Sequence, residues 1–304
     1  MQNDKKLIIS VGQSRKAINW KAVELYWSEF VQRLSVPQRS TETLAEYKRL
    51  TKSQQDELKD VGGFVGGQLN GSRRKSESVI SRSLVTLDLD NIPAGQTEDI
   101  LKRVEGLGCA YIVYSTRKHE SAAPRLRVIL PTDRDLTADE YEPVARKLAS
   151  LIGIEFCDPT TFDVSRLMYW SSCCRDSEYI FTYSDKPFVS VDGILGMYGD
   201  WHNVSEWPSV PGETERLERN QRRQEDPTTK KGIIGAFCRV YDVPAAMDKF
   251  LPGIYEETSI SGRYTYTAGS TVGGAVLYDD GKFLYSHHAT DPAQGRTCNS
   301  FDLV

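Results

Sequence analysis

None of the six cysteines (Cys109, Cys157, Cys173, Cys174, Cys238, Cys298) stands in a CxxC pair, which leaves no disulfide framework to read. There is no signal peptide, and no apolar run reaches membrane-spanning length. These absences point to a reducing cytoplasm, with the adjacent Cys173 and Cys174 as ordinary thiols. Excess positive charge is also lacking: the formal net charge is −4. That argues against a wholly basic nucleic-acid coat, but not against a local basic groove, because the field that matters is local. No internal repeat is found. What remains is an ordinary soluble composition, 39% hydrophobic and 26% charged. With 304 residues the chain can hold one large domain or two modest ones.

The segment "KLIISV" (6–11) reads as a strand, and "WKAVELYWSEFVQRL" (20–34) has helical spacing. "STETLAEYKRLTKSQQDELKD" (40–60) opens on a helix-start signature at Ser40 or Thr41. A glycine-rich stretch, "VGGFVGGQLNG", precedes Arg73, Arg74 and Lys75. It reads as a tight turn or as a backbone approach to phosphate or DNA. Between 84 and 171 the order is strand, helix, strand, strand, helix, strand: "LVTLDLD", "TEDILKRVEGLG" capped by Thr97, "AYIVYST", "RLRVILP", "TADEYEPVARKLASLIG" capped by Thr137, and "RLMYWSS". That is βαββαβ, the ferredoxin-like arrangement also used by RNA-recognition modules. Residues 212–231 are highly charged, including the run from Arg216 to Arg223, and read as a solvated linker or exposed helix. The tail from 232 holds two amphipathic helices and short strands.

Strand "SLVTLDLDNIP" (83–93) raises the functional question. Val85, Leu87 and Leu89 alternate onto one face, while Thr86, Asp88 and Asp90 share the other. Two carboxylates at i and i+2 repel each other. In a sheet of order 4-1-3-2, the same edge gathers Ser115, Lys118 and His119 after the second strand. Arg125 and Arg127 join them at the start of the third, and Asp158, Asp163, Ser165 and Arg166 ahead of the fourth. Close carboxylates raise each other's pKa unless a cation compensates. Oxygen ligation by two or three carboxylates suits Mg²⁺ or Mn²⁺. Two such ions activate a hydroxyl and stabilise a leaving pyrophosphate. Arg125, Arg127 and Lys118 would then neutralise a triphosphate, with His119 hydrogen-bonding it. Tyr169 and Trp170 read as core.

"SRSLVTLDLDN", "YIVYSTRKHESAAPRLRVILP" and "DPTTFDVSRLMYWSS", in that order, resemble the catalytic domain of phage and prophage primase-polymerases of the archaeo-eukaryotic primase superfamily. Such domains are often fused to a virulence-associated-E or superfamily 3 helicase. The flanking "KDVGGFVGGQLNGSRRK" and the tail extend the resemblance over nearly the whole chain. It implies an α+β fold: an RRM-like βαββαβ core with an N-terminal α/β extension, and a small C-terminal helical and β accessory domain. The implied boundaries are 1–200 for the catalytic domain, 201–231 for the charged linker and 232–304 for the accessory region. The implied activity is DNA-templated nucleotidyl transfer with two divalent ions, NTPs or dNTPs and a single-stranded template, in a bacterial host cytoplasm. Asp88 and Asp90 match the first motif as metal ligands, and Ser115 and His119 the second as nucleotide contacts. The usual S-x-H is stretched here, because Arg117 stands two after Ser115. The third motif fits Asp158 after Cys157 or Asp163 after Phe162, with Asp158 favoured because it directly ends the apolar "IGIEFC" run. Arg166 would face the triphosphate, and Arg73, Arg74 and Lys75 would contact DNA. The chain stops at "FDLV" without a tapering polar tail, which predicts a helicase domain beyond it. The end resembles a degenerate primase zinc ribbon; His287, His288 and Cys298 lack a fourth ligand, so no structural zinc is expected.

Two alternatives share parts of this pattern. A haloacid-dehalogenase-like phosphatase also places D-x-D after an apolar strand, with the first aspartate as nucleophile. Against it, Ile92 stands where Thr or Val is preferred, and "YST" leads within ten residues into another strand where a helical crossover is required. A non-catalytic replication initiator or single-stranded DNA-binding module would need exposed aromatics on the sheet face, where this strand carries acids.

Overall fold

The computed structural model describes residues 1–213 and 224–304. Most of the charged segment read as a solvated linker or exposed helix, 214–223 with the Arg216–Arg223 run, lies outside the described residues. The chain divides into two compact units, Met1–Leu195 and Gly196–Val304.

The first unit begins with β1 (Lys6–Gly12), β2 (Lys21–Tyr26) and α1 (Trp27–Ser35). The helical spacing expected from residue 20 is realised only from Trp27. Lys21–Tyr26 instead pairs antiparallel along β1, as an exposed edge strand. The short β3 (Gln38–Arg39) follows, then α2 (Leu44–Arg49) and α3 (Lys52–Lys59). The helix start expected at Ser40 or Thr41 falls at Thr43, and a second one at Thr51. Each threonine forms a capping box with the residue three further on, Glu46 and Gln54.

The glycine-rich stretch is not a turn against a ligand. It forms β4 (Gly63–Val65) and β5 (Gly67–Leu69), two short strands that belong to different sheets. A Cβ at Gly67 would sit 2.0 Å from the Ser81 carbonyl oxygen, and one at Gly63 2.3 Å from that of Met168. Only glycine lets the chain pass this close to both neighbours.

Next come β6 (Val79–Leu89), α4 (Thr97–Gly106), β7 (Tyr111–Ser115), β8 (Leu126–Leu136) and α5 (Ala138–Ile152). These five elements match the expected β-α-β-β-α order, and α5 starts at the Thr137 capping box. The unit closes with β9 (Met168–Tyr169), β10 (Ser172–Cys173), β11 (Phe181–Ser184) and α6 (Val191–Leu195). The main sheet runs β11-β7-β8-β6-β5, with β8 between β6 and β7 as the ferredoxin-like order requires. The expected fourth strand does not join it. Met168–Tyr169 pairs with β4 in the sheet β2-β1-β4-β9, and β5 takes the place beside β6. The fold is therefore α+β, and the strand expected to complete an RRM-like sheet belongs to the other one. Every pairing in the main sheet is antiparallel, which does not fit the doubly wound parallel sheet of the phosphatase alternative.

Between the two sheets lies one apolar cluster. It joins Leu7 and Ile9 of β1, Trp27 and Phe30 of α1, Phe64 of β4, and Leu84, Ile112 and Ile129 of the main sheet. Trp170 belongs to it, as its sequence suggested. Burying these side chains contributes roughly 1.5–3 kcal/mol apiece, and it fixes the inner edge of β6, where the acids stand.

In the second unit, helices Gly232–Val240 and Val243–Phe250 precede an antiparallel sheet. Its strands are β12 (Tyr255–Glu257), β13 (Arg263–Tyr266), β14 (Ala275–Tyr278), β15 (Phe283–Ser286) and β16 (Thr297–Asn299), in that spatial order. Cys298 lies in its core with Val243, Met247 and Leu284. His288 is fully buried, with Nδ1 2.5 Å from Thr271 Oγ1 and Nε2 accepting from the Tyr266 and Gly274 amides at 3.1 and 3.2 Å. Both of its ring nitrogens are thus engaged within the fold. All six cysteines are free and buried, and no helix among the described residues is long and apolar enough to cross a membrane.

Candidate active site

Antiparallel pairing of β6 and β8 sets Asp88 directly opposite Arg127. Arg127 Nε donates to Asp88 Oδ1 at 2.6 Å, and both side chains are more than nine-tenths buried. The guanidinium also donates to the Tyr114 hydroxyl at 3.0 Å and to the Tyr169 carbonyl at 2.9 Å. Burial disfavours its charge, but Asp88 and Tyr114 outweigh that and hold its pKa above the ordinary guanidinium value.

Asp90 follows the end of β6 and pairs with Arg125 Nη1 at 2.9 Å. Burial, and then the neighbouring Asp88 charge, push its pKa up. Asp158 is tied to β6 through its backbone amide, which donates to the Asp88 carbonyl at 2.9 Å. Its Oδ1 caps the turn Pro159–Phe162, while Oδ2 lies 3.1 Å from Arg166 Nη2. The same Arg166 nitrogen stands 3.9 Å from Asp88 Oδ2. One cation therefore already sits between two of the carboxylates.

These groups open onto a cavity of about 210 Å³, lined by Asp88, Asp90, Asp158, Ser115, Lys118, Arg125, Arg127 and Arg166. Half-buried Tyr169 and core Trp170 also reach it. Asp163 is not among the lining residues; its Oδ1 accepts from the Ser165 amide at 2.8 Å and from the Ser165 and Ser76 hydroxyls at 3.0 and 3.1 Å. It organises the turn. Asp88, Asp90 and Asp158 are each held by a different arginine. Among the described residues, no group of three or more His, Cys, Asp or Glu is gathered closely enough to hold a metal ion.

Other residues singled out by sequence are placed differently. His119 is buried and does not line the cavity; its Nδ1 accepts from the Arg125 amide at 3.1 Å, holding the turn that presents Arg125. Burial lowers its pKa. Ser115 lines the cavity while its Oγ accepts from the Ile180 amide at 2.9 Å. Lys118 reaches the cavity with its pKa lowered by burial and then by Lys52 and Arg125. Arg74 is part-buried, donating to the Ser165 carbonyl at 3.0 Å. Lys75 pairs with Glu77 at 2.8 Å and Arg73 is exposed, so neither they nor Arg74 line the cavity.

Sequence reasoning missed a whole wall. Tyr47 of α2 and Lys52, Asp56 and Lys59 of α3 line the same cavity, as does Arg117. Lys52, Asp56 and Lys59 stand at i, i+4 and i+7, one helical face. That spacing was visible, but nothing local says where such a face docks.

Fold and site together define an α+β domain in which the neighbouring strands β6 and β8, and the loops beside them, bring carboxylates and arginines to one cavity. The chain belongs to the VapE N-terminal domain family, whose model matches residues 1–210. Among solved structures, the AEP domain (PP-N190) of the cyanophage S-2L primase-polymerase, PrimPol, is similar over 63% of this chain and 88% of that one, at 12% identity and a TM-score of 0.35. No curated protein matches the chain.

Proposed function

We propose that the first unit carries out DNA-templated nucleotidyl transfer, as a primase, a DNA polymerase or both, in the replication of a phage or mobile element. The observation that carries this reading is the convergence of Asp88, Asp90 and Asp158 with Arg125, Arg127, Arg166 and Lys118 on one cavity. Acids alone would repel a phosphate ligand. Acids and arginines together suit a substrate that arrives as an anion accompanied by divalent cations.

The donor chemistry suits such cations, while the aspartates stand engaged by arginines and are not gathered around one point. Carboxylate oxygens are the ligands Mg²⁺ and Mn²⁺ prefer, and the Arg166 nitrogen shared by Asp88 and Asp158 marks a place where a positive charge is already accepted. Asp88, Asp90 and Asp158 would hold the ions. When bound, they lower the pKa of an attacking hydroxyl and neutralise a departing pyrophosphate. The chain's own part is positioning. Arg125, Arg127 and Arg166 would exchange an aspartate for triphosphate oxygens, and Ser115 closes the cavity beside β7. His119 acts one step back, by holding the Arg125 backbone. A helicase domain would be the working partner, and single-stranded DNA the template.

The test is synthesis on primed and unprimed single-stranded templates, with Mg²⁺ or Mn²⁺ and with NTPs or dNTPs. Extended or newly started strands are expected in at least one combination. A folded protein that binds the template yet makes no product in any of them would overturn the reading in favour of a binding module.

A further inference from the structure

The cavity's cations are unevenly satisfied. Arg125, Arg127 and Arg166 each have an aspartate, and Lys52 holds Asp56 at 2.6 Å. Lys59, one turn beyond Asp56 on α3, has no carboxylate within ion-pair distance among the described residues. Its Nζ lies 4.9 Å from the centre of the Tyr169 ring, and the carbonyl of that tyrosine is bonded to Arg127. Burial, followed by Arg127 and Lys52, pushes the Lys59 pKa down. A half-buried ammonium without a counter-ion costs the free protein stability.

A second cation of the same cavity has its charge paired but one donor unmet. The Arg117 side chain is only 4% exposed; it pairs with Glu42, donates to Ser40 Oγ at 2.5 Å and lies 4.8 Å from the Tyr47 ring centre. Its Nε is buried without a hydrogen-bond partner. Lys59 comes from α3 and Arg117 from the turn after β7, yet both line the one cavity. Two separate elements thus bring a lysine without a carboxylate partner and an arginine to the same space. An incoming anion with several oxygens would supply Lys59 with the charge partner it lacks and reach Arg117 beside it.

We propose that Lys59, supported by Arg117, binds the polyphosphate of the incoming nucleoside triphosphate, so that the α2–α3 wall is part of the nucleotide site. This rests on the nucleotidyl-transfer reading and adds to it Lys59, which none of its three motifs contains, and Arg117, which stands inside the stretched second motif without an assigned role.

Calorimetric titration of the full chain with inorganic tripolyphosphate, and with ATP and Mg²⁺, tests it. Lys59→Met is expected to weaken tripolyphosphate binding about tenfold, and Lys59→Arg to restore most of it. In synthesis assays the loss should appear in KM for nucleotide more than in kcat. The melting temperature of Lys59→Met should stay level or rise, because an unpaired ammonium has been removed. Wild-type affinity in Lys59→Met would overturn the proposal, as would a loss of affinity accompanied by a falling melting temperature, or one confined to single-stranded DNA. Absence of tripolyphosphate binding in the wild type would also overturn it, even with synthesis intact. Binding with no synthesis would overturn the polymerase reading and leave Lys59 as a polyphosphate ligand.

Discussion

Asp88 and Asp90 are two residues apart, yet their substitution should have different consequences. The Asp88 and Arg127 side chains are 9% and 8% exposed, whereas those of Asp90 and Arg125 are both 35% exposed. Removing Asp88 strands a buried guanidinium, and breaking such a pair costs about 3–5 kcal/mol. Asp90→Asn exposes a wetter arginine and should change stability by less than ~1 kcal/mol. Urea unfolding of both variants beside the synthesis assay should therefore show Asp88→Ala failing in both and Asp90→Asn failing in synthesis alone. His119 supplies a pH test at the same scale. Burial lowers its folded pKa below the unfolded value of 6.5, so the unfolded chain binds more protons between the two. Its contribution is complete above about pH 6.5 and is lost as pH falls through the folded pKa. Wild-type melting temperature should drop between about pH 7.5 and 5, with a shallower drop in His119→Gln. Equal slopes would place the pH sensitivity elsewhere.

At the scale of elements, residues 157–166 are held to β6 by one short backbone bridge, Leu89 against Cys157, and beyond it by buried polar contacts. Arg82 is fully buried and donates to the carbonyls of Gly66 (3.2 Å), Leu84 (3.1 Å) and Val164, with its guanidinium 3.9 Å from the Tyr141 ring centre. Thr161 accepts from the Asp88 amide at 3.0 Å and donates to the Thr86 carbonyl at 2.9 Å. Arg82→Leu leaves several buried carbonyls short of a donor, at ~1–3 kcal/mol each. Denaturant unfolding should record a loss of about 3 kcal/mol or more, with hydrogen exchange speeding up first in residues 158–166. Uniform exchange across the unit would show that Arg82 does not tether this segment. The same elements show what could be read beforehand. The strands β6, β7 and β8 and the helices α4 and α5 announce themselves through alternation, helical spacing and the Thr137 cap, and with them the shared edge of Asp88 and Arg127; Thr97, read as the cap of α4, is instead its first helical residue, after Gln96. β2 was hidden because Lys21–Tyr26 sits between two tryptophans at spacing that also fits a helix. The two-residue β9 carries too little pattern to declare its sheet, and its partner β4 depends on glycine contacts made only after folding. Lys59 was missed for a related reason: a helical face shows its residues, but its docking place is a tertiary fact.

At the scale of the molecule, charge and division into units matter most. A chain of net charge −4 gathers at one cavity more lysines and arginines than carboxylates, so the local field opposes the global one. Each unit also has its own apolar cluster, from Leu7 to Phe188 in the first and from Val243 to Cys298 among the buried members of the second. Every residue lining the cavity lies between Tyr47 and Ser172, and the family match ends at residue 210. The first unit therefore contains both a core and the whole lining of the cavity. Its 195 residues exceed the size at which a single domain buries enough surface to fold alone, roughly 60 residues. A fragment ending at Val210 should accordingly unfold in one cooperative urea transition and bind tripolyphosphate within about threefold of the full chain, a difference below ~0.7 kcal/mol. A broad, non-cooperative transition would mean that the core needs the second unit. A cooperative transition with lost binding would mean that residues after 210 contribute to the nucleotide site, which the lining of the cavity gives no reason to expect.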